Sequence, residues 1–287
     1  MVHPNFSLMQ KYLRTSRSEW RPFVIYGVCY ALLSLLVPLI VQLLVNNLAL
    51  VGLNLSLVTL SIILAIGLAL LQLSRLAQIV LLEYLERKLV ARLAPRFSVI
   101  STGEKTYFFE LASVPKSLSK WVLEGFEILL ALIVGSIILM VYHPFFIALT
   151  LLIWLSLWGV YRLGKRGLSS ALEESNQKYK LWAALERSEK GLTANDWLRA
   201  RDVHFEILRR QILLLMAAQI IGTVSLMSVG ALLFHAGELS LGQFVAAELI
   251  GGGVFMALSK LCKFMETHYA LITSFIKIDR ALEGHHG

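Results

Sequence analysis

The chain has 287 residues, of which 57% are hydrophobic and 16% charged. Soluble domains carry about 25% charged residues, so composition excludes an ordinary soluble globule. Lys and Arg (27) outnumber Asp and Glu (19), for a formal net charge of +8, but the excess gathers on one side of long apolar segments and needs no nucleic-acid partner to explain it.

Residues 1–21 form a tail carrying Lys11, Arg14, Arg17 and Arg21. Membrane-length apolar segments follow at 22–46, 55–82, 121–141, 145–161, 212–234 and 244–266, all within one domain spanning 22–282, and 283–287 is a short C-terminal tail. A helix needs ~20 residues to cross ~30 Å of hydrocarbon. The alternation of a barrel strand is absent, so an all-α fold of membrane-spanning helices is expected. The first apolar run leads into Asn46 and Asn47, not into a small-residue cleavage site, and reads as a retained span.

The connections 47–54, 142–144 and 235–243 contain no Lys or Arg. By contrast, 83–120 carries Arg87, Lys88, Arg92, Arg96, Lys105, Lys116 and Lys120, and 162–210 opens with Arg162, Lys165 and Arg166. Positive residues stay with the cytoplasmic leaflet, so both termini are expected in the cytoplasm and the chain in a bacterial inner membrane, surrounded by lipid.

Three helices are expected to overshoot the membrane on that basic side. One would run from about 55 to 95, ending before Pro95, with Arg75 at the inner headgroup level where it can snorkel. After the fourth span, a polar helix Ser169–Lys190 offers Glu173, Glu174, Lys178 and Lys180 for pairs three or four apart. Gly191 breaks it, a residue of Thr193–Asp196 caps the next helix, and 197–210 leads into span five. The last helix continues to about 282. The tip of the first excursion lies near Ser98–Glu110.

Few side chains suggest chemistry. Glu124 and Glu127 open span three one turn apart, at the depth of Arg75. With Arg75 they read as a structural ion pair, or as the inner mouth of a path for a cationic substrate. Glu248, one turn into the last span, faces either a cavity or a polar contact at the outer interface. Gly251, Gly252 and Gly253 permit close helix packing or an outer-gate hinge. Cys29 and Cys262 form no ligand cluster and read as apolar fillers. His143, His204, His235 and His268 are dispersed, so no metal site is expected. Gly164–Ser170 (GKRGLSS) lacks the spacing of a phosphate loop, so neither a catalytic residue nor a cofactor is expected in the chain.

Gly237–Gln243 (GELSLGQ), a Gly-containing helix and then Ile278–Ala281 (IDRA) resemble the sixth helix of ABC exporter transmembrane domains. Pro38 with Asn46 and Asn47 resembles that family's first helix, and Ala171–Trp182 (ALEESNQKYKLW) the approach to its second intracellular loop. The resemblance covers about residues 20–282 and implies a six-helix half-transporter of the type-IV fold, without the nucleotide-binding domain that usually follows. It implies a dimer, with itself or a paralogous half-transporter, in which spans four and five exchange between subunits. ATP and Mg would be handled by a separate nucleotide-binding subunit, with accessory export proteins as further partners and alternating access as the mechanism. The coupling tips carried over are Ser101–Tyr107 and Glu189–Trp197. Docking onto the ATPase would use Tyr107, Phe108, Phe109, Glu189 and Trp197; alternatively, the aromatics cover the excursions' own packing. The other functional reading is a non-transporting module that anchors, scaffolds or regulates another membrane complex.

Overall fold

The computed structural model describes residues 17–50, 56–97, 105–186 and 194–283, and the secondary structure among them is helical. The helices are α1 (Arg17–Ser34), α2 (Leu36–Leu50), α3 (Ser56–Phe97), α4 (Lys105–Tyr142), α5 (Phe145–Glu186), α6 (Asn195–His235) and α7 (Leu241–Glu283). Among the described residues, six segments are long and apolar enough to cross a membrane: Arg21–Asn47, Val58–Lys88, Val114–Tyr142, Phe145–Trp182, Asn195–His235 and Leu241–Lys277. Large apolar side chains such as Ile62, Ile66, Leu73 and Val80 stand exposed along α3, and Ile220, Val224 and Leu232 along α6. Apolar faces of that extent belong against lipid, so the chain is built as a multi-pass membrane protein.

The first span is α1 plus α2, broken at Leu35. Proline supplies the cause. Pro38 has no N–H to offer the carbonyl of Ser34, and its ring crowds that carbonyl. The backbone compensates with bonds from Leu35 N to Leu32 O and from Leu39 N to Leu35 O, both 3.2 Å.

The overshooting helices are continuous. α3 has 42 residues and α7 has 43, which at 1.5 Å per residue gives about 63 Å, twice the hydrocarbon thickness. α3 passes Pro95 and ends at Phe97, because a proline in the last turn costs only one helical bond. The polar helix expected as a separate element from Ser169 is the continuation of span four in α5, and the one expected at 197–210 is the start of α6. The helix start at Asn195 has Ala194 at the N-cap with no side-chain cap bond, so the cap expected from Thr193–Asp196 is not made.

α4 and α7 form the centre of the bundle. Half of the most apolar window of α7 is buried, against 11% for that of α3. α1, α2 and α3 pack on one side of this pair, and α5 and α6 pack together on the other. Ile128, Leu132 and Leu139 of α4, Phe146 and Ile153 of α5, Leu215 and Leu226 of α6, and Val254, Phe255 and Leu258 of α7 share one core. α7 buries small residues there, with Ala246 and Ala247 fully covered, which lets neighbouring backbones approach closely.

Toward the basic end, α5 and α6 stay on α7 of the same chain. Ala171, Leu208 and Tyr269 form a second small core, and Gln211 Nε2 donates to Val160 O at 2.9 Å and to Tyr269 Oη at 3.0 Å. Arg201 reaches Glu174 of α5 at 3.0 Å and Glu266 of α7 at 3.3 Å. Glu174 therefore pairs across helices, not within α5 as the sequence spacing suggested.

At the short-loop end, the turn into α7 explains its motif physically. Gly237 adopts φ 75°, a left-handed conformation that ends α6 with Glu238 N bonded to Leu233 O at 3.0 Å. Ser240 and Gln243 then form a reciprocal capping box: Gln243 N donates to Ser240 Oγ at 3.1 Å, and Ser240 N to Gln243 Oε1 at 2.8 Å.

Candidate functional site

A cavity of about 400 Å³ lies among α1, α2, α3, α4 and α7. Leu35, Val37, Pro38, Leu249, Val254 and Met256 are among its apolar walls. Its charged residues are Arg75, Glu127 and Lys260. Glu127 takes Arg75 Nη2 on Oε2 at 2.9 Å and Lys260 Nζ on Oε1 at 2.8 Å, so one carboxylate of α4 joins α3 and α7. Arg75 also stands over the Tyr30 ring, 5.4 Å from its centroid, and the Gln78 side chain beside the cavity is almost fully buried. Arg75 thus turns into the bundle instead of snorkelling. In a medium of low dielectric, an ion pair with two bonded oxygens outweighs an isolated guanidinium reaching for headgroups.

The local reason for this meeting is depth. Ser56 to Arg75 and Leu241 to Lys260 are both 19 residues, about 29 Å along parallel-running helices that start at the same membrane face. Glu127 lies 15 residues before the end of α4 at Tyr142, about 22 Å from that face, and the side chains span the difference. Sequence reading found Arg75 and Glu127 but missed Lys260, Gln78 and Tyr30. Matching depths along adjacent spans was the available signal for Lys260. Gln78, three residues after Arg75 in an otherwise apolar run, was also visible as a polar neighbour, whereas no signal existed for Tyr30, whose role depends on which face α1 turns inward.

Glu124 does not join the cluster. It is paired with Lys120 on its own helix at 3.8 Å and does not line the cavity. Glu248 lies outside the cavity lining as well. Its Oε1 is buried without a hydrogen-bond partner among the described residues. The glycines of α7 divide. A side chain on Gly251 would run into Leu226, so that residue serves close packing, whereas Gly252 and Gly253 have nothing within 4 Å, and Gly253 opens onto the cavity. α7 runs unbroken through all of them. Cys29 is exposed on α1, not a buried filler, while Cys262 is half-buried with Sγ 3.6 Å from Leu258 O.

Toward the short-loop end, cross-helix bonds tie the spans together. Tyr142 Oη donates to Gln42 Oε1 at 2.6 Å, Gly242 N donates to Asn46 Oδ1 at 2.9 Å, and His143 Nε2 meets Glu238 Oε2 at 2.8 Å. Phe145 N donates to His143 Nδ1 at 3.2 Å, which leaves Nε2 to carry the proton toward Glu238. Gln42, Tyr142 and Gly242 each lie one or two turns beyond the lining residues Pro38, Gly135 and Leu249.

Of the expected docking residues, Trp197 is half-buried in the first turn of α6, and its Nε1 is buried with no partner among the described residues. Tyr107, Phe108 and Phe109 fall in the first turns of α4, with their side chains outside what is described, and Glu189 lies outside the described residues altogether. No group of His, Cys, Asp and Glu suited to a metal ion occurs among the described residues. No protein-family model and no curated protein matches the chain.

Proposed function

We propose that this chain is the transmembrane subunit of an ABC-type exporter, working as a dimer with itself or a paralogue. It carries substrate across the inner membrane by alternating access, while a separate nucleotide-binding polypeptide hydrolyses ATP with Mg. The observation that carries this reading is the apolar cavity with Arg75, Glu127 and Lys260 at its basic end. Ionisable groups facing a cavity within a membrane bundle mark substrate and ion pathways. The bonds from Gln42, Asn46 and His143 tie the bundle toward its short-loop end, as an inward-facing state requires. The continuous helices α3, α5 and α7 supply rigid levers from the spans to the basic end, where an ATPase would push. A scaffold or anchor has no use for such a space between α1, α4 and α7, and a solid core would suit it better.

The test is reconstitution of the chain with the polypeptides that co-purify with it, followed by ATP hydrolysis measured with and without candidate substrates. Substrate-stimulated hydrolysis, lost when Arg75 and Lys260 are both replaced by Gln, is expected. Assembly with partners that neither bind nor hydrolyse ATP would move the chain to the scaffold reading.

A further inference from the structure

We infer that the cavity takes a single-chain amphipathic anion, with its acidic head on Arg75 and Lys260 and its apolar chain between α2 and α7; this rests on the reading of the cavity as a substrate path. Two carboxylates at the mouth of span three suggested a cationic substrate, and the side-chain positions reverse that sign. Glu124 is taken by Lys120 and lies away from the lining, whereas Lys260 enters it. The lining therefore holds two cations and one carboxylate. Each oxygen of Glu127 serves one cation, and one positive charge remains uncompensated.

An excess positive charge beside apolar walls is only partly hydrated, so an incoming anion gains an attraction there that a cation would not. Donors are available for it. Lys260 is about half exposed and Arg75 about a quarter, so each keeps N–H groups beyond its bond to Glu127. Gln78 and Tyr30 are further polar residues of the same lining. Away from this cluster the walls are apolar, from Leu35 and Pro38 of the first span to Leu249 and Met256 of α7. The volume of about 400 Å³ is at the lower end for small-molecule sites, which suits one apolar chain. Carboxylate and phosphate heads share the chemistry the cluster recognises, and a paired comparison of the two ranks them.

The experiment measures binding of fluorescent single-chain carboxylate, phosphate, alcohol and amine probes of equal length to the full-length chain in nanodiscs. An acidic probe is expected to bind about tenfold tighter than the alcohol, the worth of one charge-assisted hydrogen bond. Lys260→Gln should remove most of that preference while leaving the Arg75–Glu127 pair intact. Glu127→Gln should tighten the acidic probe, because it deletes the competing anion. Gly253→Leu, at a lining position where an added Cβ meets nothing within 4 Å, should fill the cavity and weaken every probe without unfolding the chain. Preference for the amine, lost in Glu127→Gln, would overturn the anion assignment but leave the path reading standing. Failure of all probes to bind, or binding indifferent to Gly253→Leu, would overturn both.

Discussion

The backbone N–H of Gly242 donates to Asn46 Oδ1 at 2.9 Å, joining the start of the last helix to the end of the first span across 196 residues of chain. The approach is so close that a Cβ on Gly242 would strike both the Gln42 carbonyl and the Asn46 side chain. The glycine is therefore needed for contact, and the Ser240–Gln243 capping box beside it holds the helix start at that distance.

Gly242→Ala is accordingly expected to destabilise the protein by about 1–3 kcal/mol, the usual cost of overpacking. Asn46→Ala, which only leaves an N–H at a helix start without its acceptor, should cost about 1 kcal/mol. Thermal unfolding in detergent ranks the two. Equal midpoints for Gly242→Ala and the unmodified chain would show that the two helices separate at little cost.

Tyr269 and Gln211 form a buried polar pair. Tyr269→Phe should cost about 1–3 kcal/mol, because it leaves the Gln211 amide short of an acceptor. Gln211→Leu added to it should cost less than the sum of the single changes, since both variants delete the same bond. Additive losses in a denaturation cycle would argue that the pair contributes nothing jointly.

Arg201 clasps α5 and α7 to α6 through Glu174 and Glu266. The Glu174 contact carries more of the effect, since Glu174 is 14% exposed and Glu266 is 59% exposed and screened by water. Arg201→Ala should therefore raise hydrogen exchange in Arg162–Glu174 and near Glu266, and Glu266→Ala should do so far less. Equal effects of the two substitutions would contradict this division.

The charge distribution predicts that the short-loop end faces outward. Single cysteines at Asn54 and Glu238, in a background lacking Cys29 and Cys262, should react with an impermeant thiol reagent from outside intact cells. Cysteines at Glu104 and Glu189 should react only after permeabilisation. The reverse pattern would invert the assignment of both ends.

Trp197 has a buried indole N–H without a partner among the described residues, at the start of α6 where an ATPase would dock under the exporter reading. Trp197→Ala should weaken ATPase association about 30-fold, the effect of losing a 2 kcal/mol anchor, while the unfolding midpoint of the isolated chain stays put. A lowered midpoint with unchanged association would make Trp197 part of the excursion's own packing.

Much of the fold was legible in sequence because two one-dimensional signals are strong in membranes. Apolar length places each span, since about 20 residues must cover the hydrocarbon, and the confinement of Lys and Arg to alternate connections orders the helices. The overshoot of α3 and α7 was readable for the same reason, as helical composition persists past Arg75 and Lys260. Where helices join was less readable. The polar helix expected from Ser169 is one with span four, because Gly164 and Gly167 stay helical and leave room for Tyr269 to pack against them. Which side chains meet was decided only by tertiary structure. Helix rotation determines whether a residue faces lipid, a neighbour or a cavity, and in a bundle whose outer faces are all apolar, sequence period says little about that rotation. Glu124 and Glu127 look equivalent along the chain; three residues turn one toward Lys120 and the other toward Arg75 and Lys260, and that rotation sets the charge of the cavity.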